Sequence, residues 1–244
     1  MCTLSWILNE HGYEVFFNRD EQRTRAKAIP PFLDKNFGTI MPVDPQGKGT
    51  WIATNLHGMT LCLLNNYQRQ AEMNPSFSYL SRGKLVLELS GTTNNIDLKL
   101  EQLELKNYLP FFLCVFPDSL SSSNEAISIY QWNGTQLTQE QVEQPFISSS
   151  VFLAQVKKSR QTTFRQLTGT NGGTLEHIAY HSSHLPEKSH ASVCMHREDA
   201  CTQSLCHISV SNEIIFRYHD GPPCEDNRWS EIKIQKLFSA NEHE

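Results

Sequence analysis

The sequence predicts an antiparallel α+β fold in which two sheets are faced by two layers of helices. Three observations predict it. Apolar, β-prone runs come in pairs joined by short turns, as hairpins do. Helical stretches interrupt the strands twice, so that strands, two helices, strands, two helices and strands follow in order. No regular strand–helix alternation of the parallel doubly wound kind is present. The chain has 244 residues, enough for one large domain or two small ones. We read residues 1–244 as a single domain, with the tail 241–244 frayed.

The elements follow from local pattern. Residues 2–8 form an apolar strand, 9–12 (Asn-Glu-His-Gly) a turn, and 13–18 a second strand. The polar stretch with Pro30, Pro31 and Pro42 reads as loop, and 49–65 as another hairpin turning at Leu56-His57-Gly58. Residues 77–89 and 95–106 are expected to be helical, the second because Ile96, Leu98, Leu100, Leu103 and Leu105 crowd one face. Strands return at 111–116, at 126–132 before the Asn133-Gly134 turn, and at 150–153. Helices are expected at 154–168 and 173–184, and strands at 191–196, 203–210 and 214–218.

Composition excludes several classes. Lys plus Arg number 21 against 26 Asp plus Glu, a formal charge of −5, which does not suit a protein that grips nucleic acid or anionic lipid. No apolar run approaches the ~18–20 residues that span a bilayer. The first residues carry neither a cationic region nor a cleavage site, so no signal peptide is expected. The seven Cys are scattered, and are read as reduced thiols of a cytoplasmic protein.

Cys2 is the first candidate for chemistry. Removal of an initiator Met would leave a residue that carries both a thiol and a free α-amine. With a pKa near ~7.7–8.0, that amine is a general base beside its own nucleophile. The second strand ends in Asn18-Arg19-Asp20-Glu21, and hairpin geometry places this end opposite Cys2. Asn18 and Asp20, two apart, are expected to point one way and Arg19 the other.

These residues carry a resemblance. Met1-Cys2-Thr3, Asn18-Arg19-Asp20-Glu21, Gly49-Thr50-Trp51, Gly58 and Leu63-Leu64-Asn65 resemble the NRDE family, that of transport and Golgi organisation protein 2. The same framework is similar to the N-terminal-nucleophile hydrolases of the choloylglycine hydrolase, acid ceramidase and penicillin acyltransferase group. The resemblance implies a four-layer αββα N-terminal-nucleophile hydrolase-like sandwich of antiparallel sheets. It implies Cys2 as nucleophile, Asp20 as the carboxylate that holds the α-amine, and Asn65, or the adjacent Asn66, as oxyanion donor. Arg19 and Asn18 complete the catalytic candidates.

Two functions are then expected. Association of the NRDE family with intracellular haem movement implies a cytoplasmic carrier that binds haem without a covalent bond and passes it to haem-accepting proteins. The alternative is a cysteine amidohydrolase or acyltransferase working through Cys2 on a linear amide or acyl thioester, with no cofactor needed. Six of the ten His fall between His177 and His207. His177, His181 and His184 share a helix face at i, i+4 and i+7 and are one candidate source of a haem ligand; the strand with Cys194 and His196 is the other, so His177, His181, Cys194 and His196 are the haem-ligand candidates. Cys194-x-His196 and Cys206-His207 match no standard zinc spacing, and alternation on adjacent strands would scatter their side chains, so no metal site is expected. Asn171-Gly172-Gly173 lacks the Lys-Ser/Thr of a phosphate loop and reads as a helix-entry turn.

Overall fold

The computed structural model describes residues 1–237 apart from Ala71, Thr93, Asn94, Val142 and Asn227. The expected fraying of 241–244 therefore lies outside the described residues.

The first sheet is built on one hairpin. β1 (Cys2–Asn9) and β2 (Gly12–Gln22) pair with Cys2 opposite Arg19 and Asn9 opposite Gly12. At the turn, a Cβ on Gly12 would meet the carbonyl oxygen of Val210 at 1.9 Å, so only glycine lets the neighbouring strand close there. β10 (Phe146–Ser148) adds beside β1, while β11 (Ala200–Val210), β12 (Glu213–Asp220) and β13 (Trp229–Gln235) extend the sheet beyond β2. The second sheet runs in chain order through β3 (Ile29–Asp34), β4 (Thr39–Val43), β5 (Ile52–Asn55), β6 (Thr60–Asn65), β7 (Phe111–Phe116), β8 (Ser128–Trp132) and β9 (Leu137–Glu140). Every pairing in both sheets is antiparallel.

The two sheets meet over an apolar layer of Leu4, Trp6, Val15 and Phe17 from the hairpin, with Ile52, Cys62, Leu64 and Phe116 from the other sheet. α2 (Arg82–Ser90) and α3 (Ile96–Gln102) cover the outer face of the seven-stranded sheet, packing Leu85, Val86, Leu89 and Leu100 on Leu61, Leu63 and Leu113. α4 (Leu153–Thr168) and α5 (Thr174–His181) cover the six-stranded sheet, and the one-turn α1 (Tyr67–Gln70) follows β6. The architecture is the expected αββα sandwich.

Several expectations are corrected. β3 and β4 replace the loop expected around Pro30, Pro31 and Pro42. Pro30 and Pro31 are tolerated because β3 is an edge strand with a register shift between Ile29 and Phe32, and Pro42 lies in β4 past Thr39 and Ile40, where pairing with β5 ends. β9 and β13 were missed, being largely polar strands with one face in solvent. The strand expected at 150–153 is Phe146–Ser148, and Phe152 already caps α4. α5 ends at His181, so His184 lies past the helix and shares no helical face with His177. Residues 191–194 form bends and His196 makes an isolated bridge to Cys201, so 191–196 is not a strand.

Alternation on the central hairpin has an unusual result. Leu4, Trp6, Val15 and Phe17 face the apolar layer, while Thr3, Ser5, Asn18 and Asp20 face the helices. This polar face is buried and satisfied from α4 and α5. Ser5 Oγ lies 2.8 Å from His177 Nδ1 and 2.9 Å from His181 Nε2, and Asn18 donates to the carbonyls of His181 and Val193.

Candidate active site at the start of the first strand

Cys2 opens β1 at the wall of a 690 Å³ cavity, a size suited to a small organic ligand. Of the seven cysteines, Cys2 is the one that lines it, and all seven are free thiols. The cavity runs between the start of β1, the end of β2, the loop before β5, the end of β6 and the N-terminus of α2.

The Gly49-Thr50-Trp51 motif explains how α2 reaches this place. A Cβ on Gly49 would lie 2.3 Å from the carbonyl carbon of Gly83, and Thr50 N–H donates to Gly83 O at 3.1 Å. This backbone contact between two glycines sets the first turn of α2 against the strand and brings Arg82 to the cavity. Arg82 donates to Pro110 O at 2.9 Å, and among the described residues it has no carboxylate partner. Burial draws the pKa of its guanidinium down.

Arg19 stands opposite Cys2 and shares its face of the sheet. Its guanidinium stacks on Trp51 at 4.4 Å from the ring centroid and lies 3.5 Å from both Glu21 and Asp44. Arg25 also lines the cavity and bonds Asp44 through Nε at 3.0 Å, which holds the Asp44 carboxyl below its ordinary pKa despite partial burial. Asn65 ends β6 at the same wall, and its Nδ2 donates to Tyr67 Oη at 2.8 Å. Asn66 is buried outside the cavity lining, and its Nδ2 finds no partner among the described residues.

The α-amine belongs to Met1. It donates to the main-chain carbonyl of Asp20 at 3.1 Å and to Tyr67 Oη at 3.2 Å. Burial pulls its pKa down, but Tyr67, Cys2 and Asp20 outweigh that and leave it raised. The Met1 side chain packs on Ile147, Val156 and Met195. Burial raises the Cys2 thiol pKa, and the adjacent ammonium pulls it back in part.

Asp20 contributes its backbone to this end of the cavity, while its carboxylate points to the helical side. There it lies 3.1 Å from Arg160 Nη1 and accepts from Thr202 Oγ1 at 2.7 Å, and Arg160 also bonds Thr3. Asp20 therefore locks the floor beneath the hairpin, with its carboxylate on the opposite face from the thiol. Asn18 is likewise corrected. It does not line the cavity, because the two-residue alternation sends it to the helical face, where it binds the end of α5.

The expected haem ligands separate. His177 and His181 are 3% and 0% exposed, bonded to Ser5 and packed on Phe16. Burial pulls the pKa of His177 to about 4 and that of His181 well below the usual value. They are core histidines. Cys194 and His196 lie together, 3.6 Å apart, away from the cavity.

Sequence reasoning missed Tyr67, Arg82, Arg25, Asp44 and Arg160. One signal was available for the last. Val156, Arg160, Thr163 and Phe164 fall on one face of α4, and an arginine inside such a stripe calls for a buried partner.

An antiparallel αββα protein with a cysteine at the start of an interior strand, set in an arginine-lined cavity, is the class that this fold and site define. Within that class the chain belongs to the Transport and Golgi organisation 2 family, whose model matches residues 1–216. A search of the curated proteins finds no match. Among solved structures the chain is similar to the Caenorhabditis elegans N-acylethanolamine-hydrolyzing acid amidase (NAAA) ortholog, at 10% identity and a TM-score of 0.48, over 85% of this chain and 92% of that one. Among the described residues, no helix is long and apolar enough to cross a membrane.

Proposed function

We propose that the chain, once Met1 is removed, is a cysteine amidohydrolase or acyltransferase acting on a linear amide or acyl thioester that carries an anionic group. One observation carries this reading: Cys2 is the cysteine that lines the cavity, with Asn65 and the guanidiniums of Arg19 and Arg82 around it. Removal of Met1 passes the α-amine to Cys2 itself. The amine takes the thiol proton as Sγ attacks the carbonyl carbon. Asn65 Nδ2–H supports the oxyanion, a contribution of about 3–4 kcal/mol for a well-placed donor. Collapse of the tetrahedral adduct gives a thioester on Cys2 and hands the proton to the leaving amine. Water, or a second amine or thiol, then releases the acyl group. Arg82, with no carboxylate partner among the described residues, is the group that receives the anionic end of the substrate.

Intact mass of the full chain, before and after incubation with N-acyl amides and acyl thioesters bearing a carboxylate or phosphate, tests the reading. Expected are loss of Met1 and a mass increment of one acyl group that Cys2→Ala abolishes. Asn65→Ala is expected to slow turnover about 10²–10³-fold. A mature chain that quantitatively keeps Met1 defeats the mechanism.

A second reading, non-covalent haem carriage in the cytoplasm with delivery to haem-accepting proteins, is favoured by a different feature of the same cavity. Arg19, Arg25 and Arg82 suit the carboxylates of a flat anionic cargo, while Trp51, Tyr79 and Leu109 offer apolar surface and Cys2 a soft ligand. Haem titration followed by the Soret band distinguishes the readings. A shifted band that Arg82→Ala weakens supports carriage. Binding no better than to an unrelated protein of similar charge ends it.

A further inference from the structure

The irregular segment 191–196 places side chains where a strand would not. His184 lies beyond α5, Cys194 lies in the bends at 191–194, His196 follows them in an isolated bridge to Cys201, and Cys224 lies in the turn between β12 and β13. One ligand atom from each of the four falls within 4.8 Å of the other three. We propose that His184, Cys194, His196 and Cys224 form a tetrahedral zinc site that clips the segment between α5 and β11 to the β12–β13 turn.

The distances fit. Zinc bonds of about 2.3 Å to sulfur and about 2.0–2.1 Å to nitrogen require tetrahedral edges of roughly 3.3–3.8 Å. His196 Nε2 lies 3.6 Å from Cys194 Sγ and 3.3 Å from Cys224 Sγ. The His184 and His196 rings stand edge to face with centroids 5.0 Å apart. No separation exceeds 4.8 Å, so closing to a tetrahedral edge takes at most about 1.5 Å, within reach of side-chain rotation.

The donor chemistry points the same way. Two thiolates and two neutral imidazoles around a dication make a neutral centre, tolerable in a half-buried place. Such a set selects zinc over magnesium or calcium, which prefer oxygen. His184 Nε2 is buried without a hydrogen-bond partner among the described residues, an orphan that a metal bond would satisfy. Main-chain bonds already position the ligands: Cys194 N–H donates to Ser183 O, and His196 N–H to Ser189 O.

The site also has a structural task. Residues 182–199 contain no helix or strand, a longer irregular run than the ~12–15 residues usual in a compact domain. A metal joining it to the β12–β13 turn supplies the cross-link that regular pairing does not. None of the four residues lines the Cys2 cavity, and Cys224 lies beyond the residues matched by the family model.

The test uses the full chain, reduced, stripped with a chelator and then titrated with zinc alone or cobalt alone. Expected are one zinc per chain, a higher melting temperature with zinc, and cobalt spectra with thiolate charge-transfer and tetrahedral bands. Cys224→Ser and His196→Asn should each weaken zinc binding at least tenfold, and Cys224→Ser should also reduce the charge-transfer intensity by about half. Cys2→Ala should still bind one zinc, which separates this site from the cavity. Wild-type protein that takes up less than a tenth of an equivalent overturns the proposal. So does zinc uptake unchanged by Cys224→Ser. Cobalt spectra from the unmutated chain that lack thiolate bands overturn it even if the variants fail to fold.

Discussion

Arg160 and Asp20 form the most exacting contact in the molecule. Both side chains are fully buried, and they lie 3.1 Å apart. Arg160 Nε and Nη2 have no partner among the described residues, so Asp20 and Thr3 carry nearly all of its stabilisation. Removing one member leaves an uncompensated buried charge, which costs about 3–5 kcal/mol. Asp20→Asn and Arg160→Met are each expected to lose that amount in urea unfolding. The double variant should recover much of it, since it leaves no unpaired charge in the interior. Additive losses in the double-mutant cycle would show that the two do not act as a pair. Because the Asp20 carboxylate also anchors the end of β2 beside Cys2, the single variants should reduce any Cys2 acylation as well.

Among the elements, α5 is the one whose packing is set by protonation. His177 and His181 share Ser5 Oγ, so the hydroxyl donates to one imidazole and accepts from the other, which requires the accepting ring to be neutral, and burial disfavours charge on both. Glu14 and Glu176 favour the charged form of His177, and His207 and above all burial oppose it. Arg160, His177 and His207 oppose the charged form of His181 in addition to burial. Both folded-state pKa values thus lie below the usual 6.5, and the unfolded chain binds more protons. The stabilisation is complete above pH 6.5 and is lost as pH falls toward about 4, where His177 titrates. Each histidine adds up to roughly 1.4 kcal/mol per pH unit to the slope across that interval. Stability measured against pH should become shallower in His177→Gln, whatever its absolute value. An unchanged slope would mean that the pair is not kept neutral by the fold.

For the molecule as a whole, the layer between the sheets is the common support. Phe116 from the second sheet stacks on Tyr13 at 5.7 Å and meets Trp6 edge to face at 5.8 Å, both from the hairpin of the first. Phe116→Ala should cost about 3–5 kcal/mol, because neither sheet can collapse into the space. The denaturant m-value should not change if the two sheets unfold together. A second transition, or a halved m-value, would show that they unfold as separate units.

Much of this was legible in the residues, and what was legible was local. Cys2, the Asn18–Glu21 run and the hairpin between them are close in sequence, so pairing rules place Cys2 opposite Arg19 before any fold is known. Apolar alternation and turn chemistry likewise determine most strands. The sequence failed where faces and distant partners decide. Asn18 and Asp20 sit beside the nucleophile in the chain, yet their side chains leave for the opposite face, because alternation fixes direction and only the covering helices fix what lies there. The histidines of α5 look like ligands by spacing and are core by packing. His184, Cys194, His196 and Cys224 match no spacing rule, since an irregular segment and a separate turn bring them together. Local propensity specified the strands and the nucleophile's place. Which polar groups are buried, which are paired, and which converge was decided by the packing of layers, whose contacts join residues far apart in the chain.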